Sequence, residues 1–197
     1  MKIVIINTEC ANMASLKFGI ERLGYQVTVT DDPTVIKAAD KVFLPGVGAA
    51  GAAMQIIRKK GIPELVETLT QPVLGICLGM QLMTSHSQEG DVECLNLIPG
   101  KVEPLLAEGL RVPHMGWNTL SKISDSPLFA GITEKDYFYF VHSYCVAPSA
   151  HTLAGCEYGQ LFSASIQHKN FFGVQFHPER SGVSGAKIIK NFLEMPT

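Results

Sequence analysis

The chain has 197 residues, with 16 basic and 18 acidic side chains and a formal net charge of −2. This length allows one domain whose core needs no disulfide or metal, and the near-neutral charge argues against a protein that binds nucleic acid or an anionic membrane. Only 17 % of the residues are charged, against about 25 % in typical domains, so the chain either buries much of itself or presents an apolar surface to a partner.

The first half of the chain alternates between short apolar runs and helical periodicity. Strands are predicted at 2–6, 27–29, 41–44 and 73–77, because their apolar runs are typical of buried strands. Helices are predicted between them, at 13–23, 33–39, 49–61 and 63–69, and a further helix follows residue 77. Strands that alternate with helices indicate a parallel sheet covered by helices on both faces.

From about residue 92 the pattern changes to short alternating strands separated by Pro, Gly and polar turns. The longest predicted strand covers 137–146, and 161–176 indicates a hairpin that turns near 168–170. A closing helix is predicted over 184–193. The sequence therefore predicts one α/β domain over residues 1–197, with a mostly parallel sheet and an antiparallel β extension.

The segment GICLG at 75–79 places a cysteine where a buried strand passes directly into a helix. This spacing is that of a nucleophile elbow with Cys77 in place of serine. Gly75 and Gly79 permit the sharp turn, which lifts the thiol above the carboxyl end of the strand, where the helix N-terminus favours the thiolate. Taken alone, the segment also fits a buried structural cysteine.

The segment QFHPE at 175–179 supplies a base and a carboxylate. If it ends a strand in extended conformation, His177 and Glu179 point to the same side, and the carboxylate can orient the imidazole and stabilise its charged form. Together with Cys77 they would form a Cys-His-Glu triad. A hydrogen-bonded structural histidine is one alternative, and a zinc site is another, although it lacks a third ligand at suitable spacing.

Two glycines follow the third predicted strand in the segment PGVG at 45–48. Backbone N–H groups at Val47 and Gly48, with that of Leu78, would form an oxyanion hole if the two strands concerned are neighbours. An ordinary Gly-rich turn or a phosphate-binding loop is the alternative, whereas the spacing does not fit a dinucleotide site.

The cysteines and the apolar runs indicate a reduced, cytoplasmic enzyme without metal or cofactor. The chain has five cysteines, an odd number, and no CxxC spacing for zinc or redox chemistry. The apolar run in the first ten residues is too short for a secretory signal, and no run approaches the roughly 20 residues of a membrane-spanning helix.

With PGVG, GICLGMQ and FHPE in this order, the sequence resembles the class I glutamine amidotransferases over nearly its whole length. The segments VPHMGWN at 112–118 and FVHSY at 140–144, with Arg180-Ser181, are most similar to the glutaminase subunits of imidazole glycerol phosphate synthases. The resemblance implies a flavodoxin-like sheet and hydrolysis of glutamine to glutamate and ammonia. It further implies a heterodimer with a (β/α)₈-barrel cyclase, which uses the ammonia to form imidazole glycerol phosphate and AICAR in histidine biosynthesis.

The resemblance also implies roles for individual residues. Cys77 would be the nucleophile, His177 the base and Glu179 its orienting carboxylate. Oxyanion N–H groups would come from Val47, Gly48 and Leu78, and the amino-acid end of glutamine would be held by Gln81, Ser143 and Tyr144. The loop at 7–12 keeps Asn12 but departs from the Asp and Gly that the family often has there.

Pro113, Met115 and Trp117 alternate along one extended run and therefore face the same way. They fit core packing as well as a partner interface, where Trp and Met are enriched and charge is depleted. We assign them, together with Arg180, to the cyclase interface.

Three other functions stay open at this point. A cysteine hydrolase or peptidase on the same sheet would not need Gln81 or the pair Ser143 and Tyr144. A non-catalytic sensor or scaffold would not need an intact triad. A glutaminase that feeds another synthase, such as those for anthranilate, guanylate or pyridoxal phosphate, would keep all of these residues.

Overall fold

The computed structural model describes residues 1–9 and 11–196, so Cys10 lies outside the described residues. In chain order the strands are β1 (Ile3–Ile6), β2 (Thr28–Thr30), β3 (Lys41–Gly46), β4 (Val73–Cys77), β5 (His86–Ser87), β6 (Val92–Glu93), β7 (Lys101–Pro104), β8 (His114–Thr119), β9 (Tyr137–His142), β10 (Tyr144–Val146), β11 (Thr152–Tyr158), β12 (Gln160–His168) and β13 (Phe171–Val174). The α-helices are α1 (Met13–Arg22), α2 (Pro33–Lys37), α3 (Ala50–Lys59), α4 (Ile62–Glu67), α5 (Leu78–Leu82) and α6 (Gly182–Glu194), and 3₁₀ turns cover Pro127–Phe129 and Pro178–Arg180.

A seven-stranded sheet in the order β11-β12-β13-β4-β3-β1-β2 forms the centre of the fold. Strands β1, β2, β3, β4 and β13 run parallel, and β12 and β11 add an antiparallel edge. The order 2-1-3-4, completed by β13, is that of flavodoxin-like sheets. Every residue of β1, β3 and β4 is buried, because an apolar cluster covers each face of the sheet. The predicted fold class is confirmed.

The helices form where amphipathic segments meet local start and stop signals. Asn12 begins α1 by accepting a hydrogen bond from the Ser15 N–H, and Gly24, with φ +87°, follows its end. Helix α3 has no side-chain cap of its own. The carboxylate of Glu89 instead accepts a hydrogen bond from the Ala50 N–H at 3.0 Å, which favourably places negative charge at the helix N-terminus.

Two smaller sheets extend the fold, β10-β7-β5-β6 and β8-β9. The prediction of one strand over 137–146 is wrong, because the chain breaks at Ser143. There it leaves the ladder with β8 and joins β7 as β10. Buried and less buried residues alternate without interruption to His142, so the side-chain pattern carries no sign of this change of partner. The longest strand is β12.

The close packing of α5 against the sheet predicts opposite effects for two Gly→Ala substitutions. A Cβ on Gly79 would overlap the carbonyl oxygen of Leu44, whereas a Cβ on Gly51, in α3, would meet only the Gly90 Cα, at 4.0 Å. We expect Gly79→Ala to lower the free energy of unfolding by about 3 kcal/mol. The control Gly51→Ala should raise it by about 0.5 kcal/mol, since alanine favours the helix. Urea unfolding followed by circular dichroism measures both, and a Gly79→Ala variant as stable as the parent would contradict this packing.

Candidate active site

Cys77 lies at the turn from β4 into α5, at the carboxyl end of the parallel strands. Its backbone has φ 53° and ψ −112°, a conformation uncommon for a residue with a side chain and typical of strained functional positions. A Cβ on Gly75 would lie 2.8 Å from backbone atoms of Gly79 and Met80. Both flanking glycines are therefore required by close backbone contact, as the elbow interpretation predicts.

His177 and Glu179 form a buried pair next to this turn. Nδ1 of His177 lies 2.8 Å from Oε1 of Glu179, and their side chains are 6 % and 7 % exposed. The predicted route to this contact is wrong, since β13 ends at Val174 and Glu179 lies in a 3₁₀ turn that His177 precedes. Pro178 begins this turn because its missing N–H would have no partner there. The two side chains thus meet across a turn instead of along a strand.

The surroundings of His177 favour its charged form. Burial lowers the pKa of the imidazole, but Cys77 and Glu179 outweigh burial and raise it to about 10. Glu179 engages Nδ1, while Nε2 is buried without a hydrogen-bond partner among the described residues. Nε2 is therefore the nitrogen free to form a hydrogen bond with the Cys77 thiol. Hydrogen bonds between catalytic groups often shorten only when substrate binds.

The PGVG segment lies directly beside the elbow. Strands β3 and β4 pair in parallel, with Gly46 opposite Cys77, so the condition that the two strands are neighbours is met. A Cβ on Gly46 would lie 2.9 Å from the Gly79 nitrogen, which explains why glycine is needed there. Gly48 has φ +93°, a conformation that glycine adopts at little cost.

A cavity of about 200 Å³ brings the predicted residues together. Among the residues that line it are the predicted nucleophile, the predicted base, the oxyanion candidates and the three substrate-binding candidates, namely Val47, Gly48, Cys77, Leu78, Gln81, Ser143, Tyr144 and His177. Two other cavities, of about 690 and 800 Å³, lie near β1–β2 and at 123–134, and neither is lined by Cys77 or His177. The candidate site is therefore identified by the reactive side chains that line it and not by its volume.

Gln81 belongs to a hydrogen-bond network in the wall of the cavity. Its Nε2 donates to the Tyr144 carbonyl at 3.0 Å and to Oε1 of Gln175 at 2.8 Å. Nε2 of Gln175 lies 3.7 Å from the Cys77 sulfur. Because both N–H groups of Gln81 are used inside the protein, its Oε1 is the atom left to accept a hydrogen bond from a ligand.

Sequence reasoning missed two polar residues of the cavity, Glu89 and His142. Glu89 is the single acidic side chain among the residues that line it. The polar run at 84–91 was the available signal for Glu89. His142 lies within the FVHSY segment, but no role for it followed from the sequence.

Four predicted interface residues lie on the protein surface. Pro113, Met115 and Trp117 are exposed on or next to β8, Met115 by 63 % and Trp117 by 56 %, so the core-packing interpretation is wrong. Trp117 contacts the Tyr139 ring edge-on, with centroids 6.0 Å apart, and the exposed Arg180 guanidinium lies 5.4 Å from the same ring. We call these five residues the β8 surface.

The described residues include no cluster of three or more His, Cys, Asp or Glu side chains able to hold a metal ion. The zinc interpretation of His177 and Glu179 therefore finds no third ligand in that part of the chain. In the same residues, no helix is both long enough and apolar enough to cross a membrane.

Two further histidines, His114 and His142, form a buried pair beside the cavity. Nδ1 of His114 lies 3.0 Å from Nε2 of His142. The His114 ring stacks on Tyr158, with centroids 3.9 Å apart. Burial lowers the pKa of each imidazole to about 4, so both rings are neutral at physiological pH.

Comparison with known proteins gives a consistent family and fold. The family model described as "Glutamine amidotransferase class-I" matches residues 4–195. Two relatives named "Imidazole glycerol phosphate synthase subunit HisH" are each 57 % identical to this chain: that of Idiomarina loihiensis, covering 99 % of this chain and 98 % of the relative, and that of Pasteurella multocida, covering 98 % and 97 %.

Solved structures of low sequence identity share the same fold. PurLQS from Thermotoga maritima has a TM-score of 0.70 at 19 % identity, covering 98 % of this chain and 97 % of that one. A glutamine amidotransferase from the same organism has a TM-score of 0.63 at 17 % identity, covering 98 % and 81 %. At such identities these two structures show the fold alone.

The neutral state of His114 predicts that the protein loses stability in acid. Between the unfolded pKa of 6.5 and the folded pKa of about 4, only the unfolded chain binds the proton. The free energy of unfolding then falls by about 1.4 kcal/mol for each pH unit of acidification. His114→Phe, which retains a ring to stack on Tyr158, should reduce this slope by about 1.4 kcal/mol per pH unit in urea titrations over that range, while the similarly lowered pKa of His142 keeps part of the pH dependence. Parallel curves for the variant and the parent would contradict a neutral buried His114.

Proposed function

The chain belongs to the class I glutamine amidotransferases, and on that premise we propose that it is the glutaminase subunit of an imidazole glycerol phosphate synthase. It hydrolyses glutamine to glutamate and ammonia and supplies the ammonia to a cyclase partner in histidine biosynthesis. One observation carries the proposal: the strained Cys77 shares a cavity with His177, and Glu179 is bound to the other side of that imidazole. The relatives named for this synthase match over 98 % and 99 % of this chain, which supports the same assignment.

The first half of the reaction breaks the side-chain amide of glutamine. The Cys77 thiolate attacks the amide carbon, and the carbonyl oxygen takes up the negative charge. We assign the stabilisation of this charge to the N–H groups of Leu78 and Gly48, which lie at or just beyond the adjacent ends of β4 and β3. His177 then donates a proton from Nε2 to the leaving nitrogen, and ammonia departs as the thioester forms.

The second half returns the enzyme to its starting state. Neutral His177 accepts a proton from a water molecule that attacks the thioester carbon. The carbon–sulfur bond breaks, glutamate leaves, and the Cys77 thiolate is restored. Glu179 serves both halves, because its contact with Nδ1 holds the ring in place and stabilises the imidazolium.

The polar wall of the cavity suits the amino-acid end of glutamine. Oε1 of Gln81 is available to accept a hydrogen bond. Ser143 and Tyr144 line the cavity where the chain passes from β9 to β10. Glu89 adds the negative charge that an α-ammonium group requires. This last assignment goes beyond the residues that the sequence indicated.

The partner that we propose is a (β/α)₈-barrel cyclase, bound as a heterodimer at the β8 surface. Exposed Met115 and Trp117, flanked by Arg180, have the composition of an interface centre. We place the complex in the cytoplasm, since the four cysteines of the described residues are free thiols and a reducing compartment keeps them so. Neither nucleic acid nor membrane is needed as a partner.

The proposed activity predicts that glutamate release depends on Cys77. In the complex with the cyclase, Cys77→Ala should abolish glutamate formation from glutamine, because no other group in the cavity can form the thioester. Cys94→Ala is the matched control, since burial raises the pKa of that thiol to about 11 and it does not line the cavity. If Cys77→Ala retained the activity, or if peptides were cleaved in place of glutamine, the proposal would fail.

Glycines flank Val47, and glutamine hydrolysis without the cyclase would waste ammonia, so we infer that the Val47–Gly48 peptide turns its N–H inward only when the cyclase binds. This hypothesis predicts a difference in activity between the free and the bound subunit. Without its partner, the subunit should hydrolyse glutamine about 10²-fold more slowly, the cost of one missing oxyanion donor. Steady-state glutamate assays with and without the cyclase measure the ratio. Equal rates would contradict a partner-dependent oxyanion hole and leave the triad assignment standing.

The β8 surface predicts that Trp117 contributes to partner binding and little to folding. We expect Trp117→Ala to weaken cyclase binding by about tenfold or more, while the melting temperature changes by less than about 2 °C. Val35→Ala, at an exposed position of α2, is the control. Isothermal titration calorimetry and thermal melts test both statements. An equal loss of binding and stability would place Trp117 in a structural role.

A further inference from the structure

We propose that His114 is a positioning residue of the glutaminase site, which acts by holding His142 in one tautomer and, through it, the carbonyl that orients Gln81. The inference rests on the proposed function and deepens it. His114 does not line the cavity, so its effect on substrate would be exerted only through other residues.

The direction of each hydrogen bond follows from the last acceptor in the series. Nδ1 of His142 lies 2.8 Å from the Tyr144 carbonyl oxygen. A carbonyl oxygen only accepts, so Nδ1 of His142 must carry the proton. In a neutral ring Nε2 is then an acceptor, and His114 must donate to it from its own Nδ1 at 3.0 Å. The remaining nitrogen, Nε2 of His114, faces the Asn118 amide at 3.4 Å.

Strand pairing, ring stacking and burial hold the two rings in this arrangement. His114 and His142 lie directly opposite each other in the β8–β9 ladder. His114 stacks between Phe140 and Tyr158, and both imidazoles are buried. Burial keeps both rings neutral, which is the state that this directional series requires.

The series ends at an atom that the active site also uses. The Tyr144 carbonyl accepts hydrogen bonds from His142 and from Nε2 of Gln81. Gln81 continues to Gln175, which reaches the Cys77 sulfur. Tyr144 begins β10 immediately after the break at Ser143, and β10 is an edge strand that pairs with β7 alone. The His142 hydrogen bond therefore adds a second contact, which holds the Tyr144 carbonyl in the wall of the cavity.

A purely structural role would not require imidazoles at these positions. The pocket around His114 is aromatic, and a phenyl ring would pack there without the cost of burying polar nitrogens. A buried polar pair with its contacts satisfied instead specifies one arrangement of the groups that it joins. Here the series ends at the Tyr144 carbonyl, and Tyr144 lines the substrate cavity.

The test compares two substitutions of His114 in the complex with the cyclase. His114→Phe keeps the stack but removes the donor to His142, whereas His114→Asn keeps an N–H close to the position of Nδ1. We expect His114→Phe to raise the KM for glutamine about tenfold with kcat changed less than about threefold, and His114→Asn to restore KM to within about threefold of the parent. His168→Phe, a histidine substitution remote from the cavity, is the control.

A merely structural role would leave the KM of His114→Phe unchanged, whatever its melting temperature, and that result would overturn the inference. An independent measurement uses ¹⁵N-labelled histidine, whose NMR shifts identify the protonated ring nitrogen. The inference requires the Nδ1–H tautomer at both His114 and His142, and an Nε2–H tautomer at His142 would overturn it whatever the kinetics. Absence of glutamine hydrolysis in the parent complex would instead refute the proposed function, while the NMR result still decides the inference.

Discussion

The close backbone contact between α5 and the ends of β3 and β4 is the constraint on which the site depends. Gly46, Gly75 and Gly79 meet there without room for side chains. This contact holds Cys77 in its strained conformation and places its sulfur at the start of a helix. It also sets the PGVG segment beside the thiol, so one packing contact positions both the proposed nucleophile and the proposed oxyanion donors. The apolar clusters on both faces of the sheet stabilise the fold and so offset the cost of this strained backbone.

Histidines in and beside the same cavity occupy opposite environments. A carboxylate and a thiol surround His177 and favour its charged form, the imidazolium that the proposed reaction requires. Aromatic rings surround His114, and burial keeps it and His142 neutral, which suits directional hydrogen bonding. The difference arises from environment and not from residue type. It suits His177 to the proposed proton transfer and the other two histidines to the proposed positioning of the cavity wall.

The fold and the reactive residues were predictable where the information is local. The elbow follows from glycine spacing around Cys77, and the parallel sheet follows from apolar runs that alternate with helical periodicity. The break at Ser143 was not predictable, since it reflects a change of strand partner. The contact between His177 and Glu179 was expected, but it is made by a 3₁₀ turn. Glu89 and the His114–His142 pair were not predicted, because strand register and contacts between segments distant in the chain bring these side chains to the site.

If Cys77 is the nucleophile for a glutamine side chain, a glutamine-like electrophile should label it. Mass spectrometry of the protein after treatment with 6-diazo-5-oxo-L-norleucine tests this. We expect one adduct on Cys77, prevented by excess glutamine, and none on Cys94, Cys145 or Cys156, whose thiol pKa values are raised by burial to about 11, 11 and 12. An unmodified Cys77, or an adduct on one of those three cysteines in its place, would contradict this role of Cys77.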